Sequence, residues 1–283
     1  METHRRLEGY EPILCAPLLR KVDRELLHLL SSLTEEEWGY RTVSPRWEVR
    51  DVTAHLLDTA LRKLSMVRDA WFVEKQIPQT PQEVVSLVNR LNYEGVSVFR
   101  RLSPPVMIDL MKTACEQSAD FHESLDPFAK ATFNVSWAGE ETSANWFDTA
   151  RELTERWHHQ QQIRLATGRP GILTPELYHP VLDCFIRGLP YAYRHIDAPS
   201  GINVLLEISG ECGGTWVLSR EEHRWHFLKE MPSRIACSVT VPEQIAWMLF
   251  TKGIDRDVAM SQIAIDGDER LAEGILGHVA IVG

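Results

Sequence analysis

The chain has 283 residues, 44% of them apolar and 25% charged, with a formal charge of −10 from 30 Lys+Arg against 40 Asp+Glu. That mix excludes a collagenous, disordered or disulfide-framework chain. The acidic balance and the lack of any Lys/Arg stripe exclude a nucleic-acid binder and argue against an anionic membrane surface as partner.

In chain order, the apolar residues first recur in helical steps. Leu18, Val22, Leu26, Leu29 and Leu33 fall on one stripe. After Ser44-Pro45, a second helix is predicted through Val52, Leu56, Leu57, Leu61, Leu64 and Val67 to Trp71, and a third over 81–101. Ser103-Pro104-Pro105 opens a helix running to about Leu125. Asn145 opens another that ends at Gly168-Arg169-Pro170-Gly171, and Thr174-Pro175 starts one reaching Tyr193. Beyond Asp197-Ala198-Pro199-Ser200-Gly201 the period changes. Asn203–Ser209, Gly214–Ser219, Arg224–Lys229 and Ile235–Val241 read as strands, Pro242 starts a helix that stops at Gly253, and a strand Gln262–Ile265 precedes a last helix Leu271–Val279. The expectation is an up-down helix bundle over 1–197 followed by a small α+β domain over 198–283.

No apolar run reaches the ~18–20 residues of a membrane span. The start METHRRLEGYEPILC lacks the apolar core of a secretory signal. Five cysteines, scattered and without a C-x-x-C, are expected to be reduced, as in a cytoplasmic protein.

The chemistry concentrates on two helices. Glu155 and His159 are spaced i, i+4, which stacks them on one helix face, and His55 lies on the second predicted helix. Two histidines and a glutamate are a ligand set that leaves a fourth tetrahedral position open. His158, at i+3 from Glu155, shares that face too, so spacing leaves the choice between His158 and His159 open. On the helical wheel Asp148, Glu152, Glu155, His159 and Gln162 form a polar stripe beside an apolar one of Trp146, Ala150, Leu153 and Trp157. The alternative reading is a stripe that faces water, with Glu155 paired to Arg151, and a His55 that merely packs in the interior. There is no second E-x-x-H, which disfavours a di-iron site.

The text W-x-V-R-D-V-x-x-H-L at Trp47–Leu56 and E-x-x-x-H-x-x-x-I-x-x-A-T-G at Glu155–Gly168 resembles the mycothiol-dependent maleylpyruvate isomerase family of the DinB superfamily. Thr240–Ile245 and Ile263–Leu276 look like that family's C-terminal domain, similar to sterol-carrier-protein folds. The resemblance implies a divalent metal, zinc foremost, on His55, Glu155 and His159. It also implies a low-molecular-weight thiol, mycothiol or an analogue, as cofactor, and either cis-trans isomerisation of a maleylpyruvate-like substrate or thiol S-transfer. Family members often carry Asp where this chain has Gln162, a weaker orienting group.

An anionic substrate would want an arginine, and Arg220, Arg224 and Arg234 are the candidates in the second domain, each equally readable as a solvated residue. Asn92 reads as helix–helix glue, and Trp216, Trp225 and Trp247 as core. Rival functions are a non-catalytic small-molecule or lipid-binding protein and a metal-dependent hydrolase with Glu152 as base. The expected partners are a small-molecule substrate and a thiol, in a monomer or homodimer.

Overall fold

The computed structural model describes residues 7–73 and 80–281. The chain forms two compact units, one of Cys15–Thr132 with Ala144–Ile172, the other of residues 7–14, Phe133–Ser143 and Leu173–Ile281.

The first unit is helical. α1 (Ala16–Ser32) buries Leu19, Val22, Leu26, Leu29 and Leu30, a stripe at helical spacing. α2 (Val49–Lys63) starts at a capping box in which the Glu48 N–H donates to Asp51 Oδ2 at 3.1 Å. Asp51 also pairs with Arg100 at 2.9 Å, which explains physically why an aspartate stands in the W-x-V-R-D text. α3 (Pro81–Phe99) opens on a Thr80/Glu83 capping box, α4 (Pro104–Ser124) on the proline pair, and α5 (Asn145–Thr167) closes at Gly168 with φ +63°. Leu26, Leu30, Trp38, Val52, Leu56, Leu57, Met107, Met111 and Ile163 share the apolar core. Each such leucine contributes about 1.5–3 kcal/mol by burial.

The polar stripe of α5 is buried rather than turned to water, with Glu155 alone half-buried. It is compensated from neighbouring helices: Lys63 Nζ donates to Asp148 at 2.7 Å, and Arg156 joins Asp23 to Glu152. Buried charge is tolerated only when paired in this way. α2 itself ends earlier than predicted. After Lys63 the chain widens into a π-helical turn, Leu64–Arg68, and Ala70 at φ +52° leads it out of helix.

The second unit begins with α6 (Pro175–Ile186) and α7 (Leu189–Ala192), predicted as one helix. The break follows from Pro190, which has no N–H to continue the ladder, and beside it Gly188 admits His278, since a Cβ there would lie 2.4 Å from its Cε1. Then come β1 (Asn203–Ser209), β2 (Gly214–Glu221), β3 (Arg224–Phe227), β4 (Cys237–Pro242), α8 (Glu243–Phe250), α9 (Arg256–Met260), β5 (Ala264–Gly267) and α10 (Glu269–Leu276). The sheet order is β3-β2-β1-β4-β5, with β1 and β4 parallel and the other pairs antiparallel. Leu206 sits opposite Trp216 on one side and Val239 on the other, so one face is continuously apolar. Tyr178 ties α6 to α8, its hydroxyl donating to Glu243 O at 2.6 Å and accepting from Trp247 N–H at 3.1 Å. Trp216, Trp225 and Trp247 are core residues, as read from the sequence.

The architecture is therefore the expected one, a helical region followed by a small α+β region. No helix among the described residues is long and apolar enough to cross a membrane. All five cysteines are buried and none forms a disulfide.

Candidate metal centre

α2 and α5 bring His55, Glu155 and His159 together, with one ligand atom from each lying within 4.8 Å of the others. The His55 and His159 rings meet edge-on, 4.6 Å between centroids, and His159 Nε2 lies 3.5 Å from Glu155 Oε2. Gln162, one turn further along α5, accepts a hydrogen bond from His159 Nδ1 at 2.9 Å. That bond assigns the proton to Nδ1 and leaves the Nε2 lone pair facing the carboxylate. His55 Nδ1 is buried without a hydrogen-bond partner.

The protonation states suit ligation. Burial, reinforced by charge on His159, pushes His55 well below the usual imidazole range. Burial alone would raise the Glu155 carboxyl. The hydrogen bond with His159 and the adjoining imidazoles outweigh it and hold the group ionised. A carboxylate and a bare imidazole lone pair repel, so the contact between Glu155 and His159 Nε2 needs either a second proton on that nitrogen or a cation in its place. These residues therefore fit a divalent ion of the zinc type, with a position left for water or substrate.

Trp47 covers the centre, 4.8 Å from His55 and 5.9 Å from His159 between ring centroids. Trp157, on the apolar stripe of α5, is fully buried and donates from Nε1 to Ile172 O at 3.0 Å. His158 stays outside the group. Its Nδ1 bonds to Thr154 O at 2.8 Å, and burial, then charge on His159, lowers it to about 3. Arg151 pairs with Asp148 at 2.6 Å, not with Glu155. Glu152 is bound to Arg156 at 3.3 Å, so it is not free to serve as a base.

The arginines named from the sequence lie in the sheet unit. Arg224 is 80% exposed beside Glu221, and Arg220 has Nε and Nη1 buried without a partner. Asn92 is glue, its Oδ1 accepting from Arg62 Nη2 at 2.9 Å. Arg62 itself was missed. It stands two turns after His55 on the same face of α2, a relation visible in the i, i+7 spacing.

The family described as mycothiol maleylpyruvate isomerase N-terminal domain matches residues 19–164, more than half of the chain. The chain belongs to that family. All three residues of the mycothiol maleylpyruvate isomerase family member's candidate centre fall inside the matched segment. Among solved structures, a histidine-to-alanine mutant of the mycothiol-dependent maleylpyruvate isomerase is 12% identical with TM-score 0.51, covering 83% of this chain and 86% of that one. Another structure of that isomerase has the same identity and coverage with TM-score 0.47. The UbiJ-SCP2 ubiquinone synthesis protein is 15% identical over 28% of this chain and 68% of that one, with TM-score 0.23. The first likeness establishes the fold, and the other two are too weak to add to it. No curated protein matches the chain.

Proposed function

We propose that the protein is a divalent-metal enzyme that uses a low-molecular-weight thiol, of the mycothiol type, to isomerise a maleylpyruvate-like substrate. The observation that carries this reading is the convergence of His55, Glu155 and His159 in a family member. His55, Glu155 and His159 would hold the ion, zinc foremost. Bound there, a divalent ion supplies the charge that favours the ionised form of a thiol, the nucleophile whose reversible addition to a conjugated alkene allows cis-trans rotation.

The chain's own residues set the conditions for that chemistry. Gln162 keeps the His159 proton on Nδ1 and so keeps Nε2 directed inward. Trp47 shields two imidazoles from bulk water. The buried ion pairs around Asp148, Glu152 and Arg156 hold the α5 backbone that presents Glu155 and His159.

A thiol S-transferase would share the centre and the thiol but keep the adduct. A hydrolase would need neither the thiol nor an alkene. The sheet face that a lipid carrier would hollow out is filled by Trp216, Trp247, Phe185 and Phe250, which favours helices that cover the sheet over a lipid site. The test is maleylpyruvate turnover by zinc-loaded protein with and without mycothiol, alongside His55→Ala. Thiol-dependent formation of the trans isomer, lost in the variant, is expected. Turnover indifferent to the thiol, or undiminished in His55→Ala, would refute the proposal.

A further inference from the structure

A chain of charge −10 that works on an anion needs a local cation, and the helical unit holds one beside the centre. Arg62 lies two turns after His55 on α2, about 10 Å along the axis. Long side chains on a helix lean toward its N-terminus, and Arg62 does so, reaching back to Asp58 at 3.1 Å. Its guanidinium therefore lies over the turn adjoining His55. Asn92 of α3 accepts a hydrogen bond from the same Nη2 at 2.9 Å, so one corner of the fork is held by an ion pair and a hydrogen bond. Nε and Nη1 carry no partner among the described residues, and the side chain is 20% exposed.

The two arginines that flank Glu155 on α5 are committed elsewhere. Arg151, one turn before Glu155 on α5, has Nε and Nη2 both committed to Asp148 at 3.2 and 2.6 Å. Arg156 is buried between Asp23 and Glu152.

We propose that Arg62 receives a carboxylate of an anionic substrate beside the His55–Glu155–His159 centre. This rests on the reading of that centre as the reaction site. An anchored guanidinium with free N–H groups is suited to a carboxylate, because charge-assisted hydrogen bonds are the strong ones and a fixed fork loses little freedom on binding. The one-turn offset from His55 suits a short dicarboxylate, with one end at Arg62 and its reactive carbon toward the centre. Arg62 is then a binding and specificity residue, and its pairing with Asn92 serves to aim it. A purely structural Arg62, tying α2 to α3, would show no preference for charge in the ligand.

The experiment titrates maleate, and its uncharged diamide, into the full-length protein by calorimetry, both zinc-loaded and chelator-stripped. Arg62→Gln should weaken maleate binding by about tenfold or more and leave diamide binding and zinc stoichiometry unchanged, while Arg62→Lys retains most of the affinity. On the unmutated protein, saturating maleate should slow modification of Arg62 by phenylglyoxal, followed by peptide mass spectrometry, and the diamide should not. This arm does not depend on a variant that folds. The inference is overturned if Arg62→Gln binds maleate as the parent does, if it loses maleate and diamide alike, if Arg62 is modified at the same rate with maleate present, or if the parent binds no maleate in either form. The stripped protein separates the two readings: a charge-selective loss there supports Arg62 even if zinc proves not to bind.

Discussion

Replacing Gln162 with leucine removes one acceptor and little else. Gln162 and His159 are 6% and 7% exposed, and their 2.9 Å bond sets the tautomer of the candidate ligand. Leucine fills similar space but leaves the Nδ1–H of His159 buried and unpaired, which costs about 1–3 kcal/mol. The imidazole can then shift its proton or rotate, and loss of such an orienting partner typically lowers metal affinity by about 10–100-fold, or about 1.4–2.7 kcal/mol. Gln162→Leu should therefore bind zinc about 10–100-fold more weakly, measured by competition with a chromophoric chelator at neutral pH. The metal-free variant should also melt below the metal-free parent. Gln162→Asp supplies a charged acceptor and should bind at least as tightly as the parent. Parent-like zinc affinity in Gln162→Leu would refute the role given to this amide.

Three further outcomes follow from the geometry. Arg156→Met strands Asp23 and Glu152 without their shared cation and should cost about 3–5 kcal/mol in urea unfolding, whereas a loss within experimental error would mean the network is relaxed by water. His122 is lowered to about 4, chiefly by burial, so it is neutral when folded and protonates first in the unfolded chain. Its contribution is complete above about pH 6.5 and declines as pH falls toward 4, so the stability advantage of the parent over His122→Gln should shrink by up to about 2 kcal/mol between about pH 6.5 and 5. Asp23, raised by burial to about 6, acts in the opposite direction, which is why the comparison is with the variant and not with the raw pH profile. Gly168→Ala, at φ +63° with open space around it, should lose about 1 kcal/mol from backbone strain alone, while Gly168→Asn should lose less.

The parts of this molecule legible in the sequence are those set by local rules. Helix starts at Pro104 and Asn145, the stop at Gly168 and the alternation in β1 and β4 each depend on a few neighbouring residues. The pairing of Glu155 with His159 is of the same kind, since i, i+4 is a property of one helix. What the sequence left open depends on residues far along the chain. A helical wheel shows that α5 has a polar stripe, but not that Lys63 from α2 and Asp23 from α1 pair with Asp148 and Arg156 inside a bundle, so from spacing alone a solvated stripe is the favoured reading. The choice of His159 over His158 required the positions of Thr154 O and Gln162 in space. The close approach that requires a glycine at 188 comes from His278, ninety residues later, and the π-helical turn after Lys63 has no strong local signature. The i, i+7 relation of His55 and Arg62 is a property of one helix and so is legible in the sequence, but that an arginine of the bundle, and not of the second domain, adjoins the centre depends on the fold.

The most direct measurement is the zinc content and affinity of purified protein, comparing the parent with His55→Ala, Glu155→Ala and His159→Ala. The parent should bind a single equivalent, and each variant should lose most of its affinity while the three remain folded by circular dichroism. An equivalent of zinc retained with parent-like affinity when all three residues are replaced together would contradict the assignment of the centre.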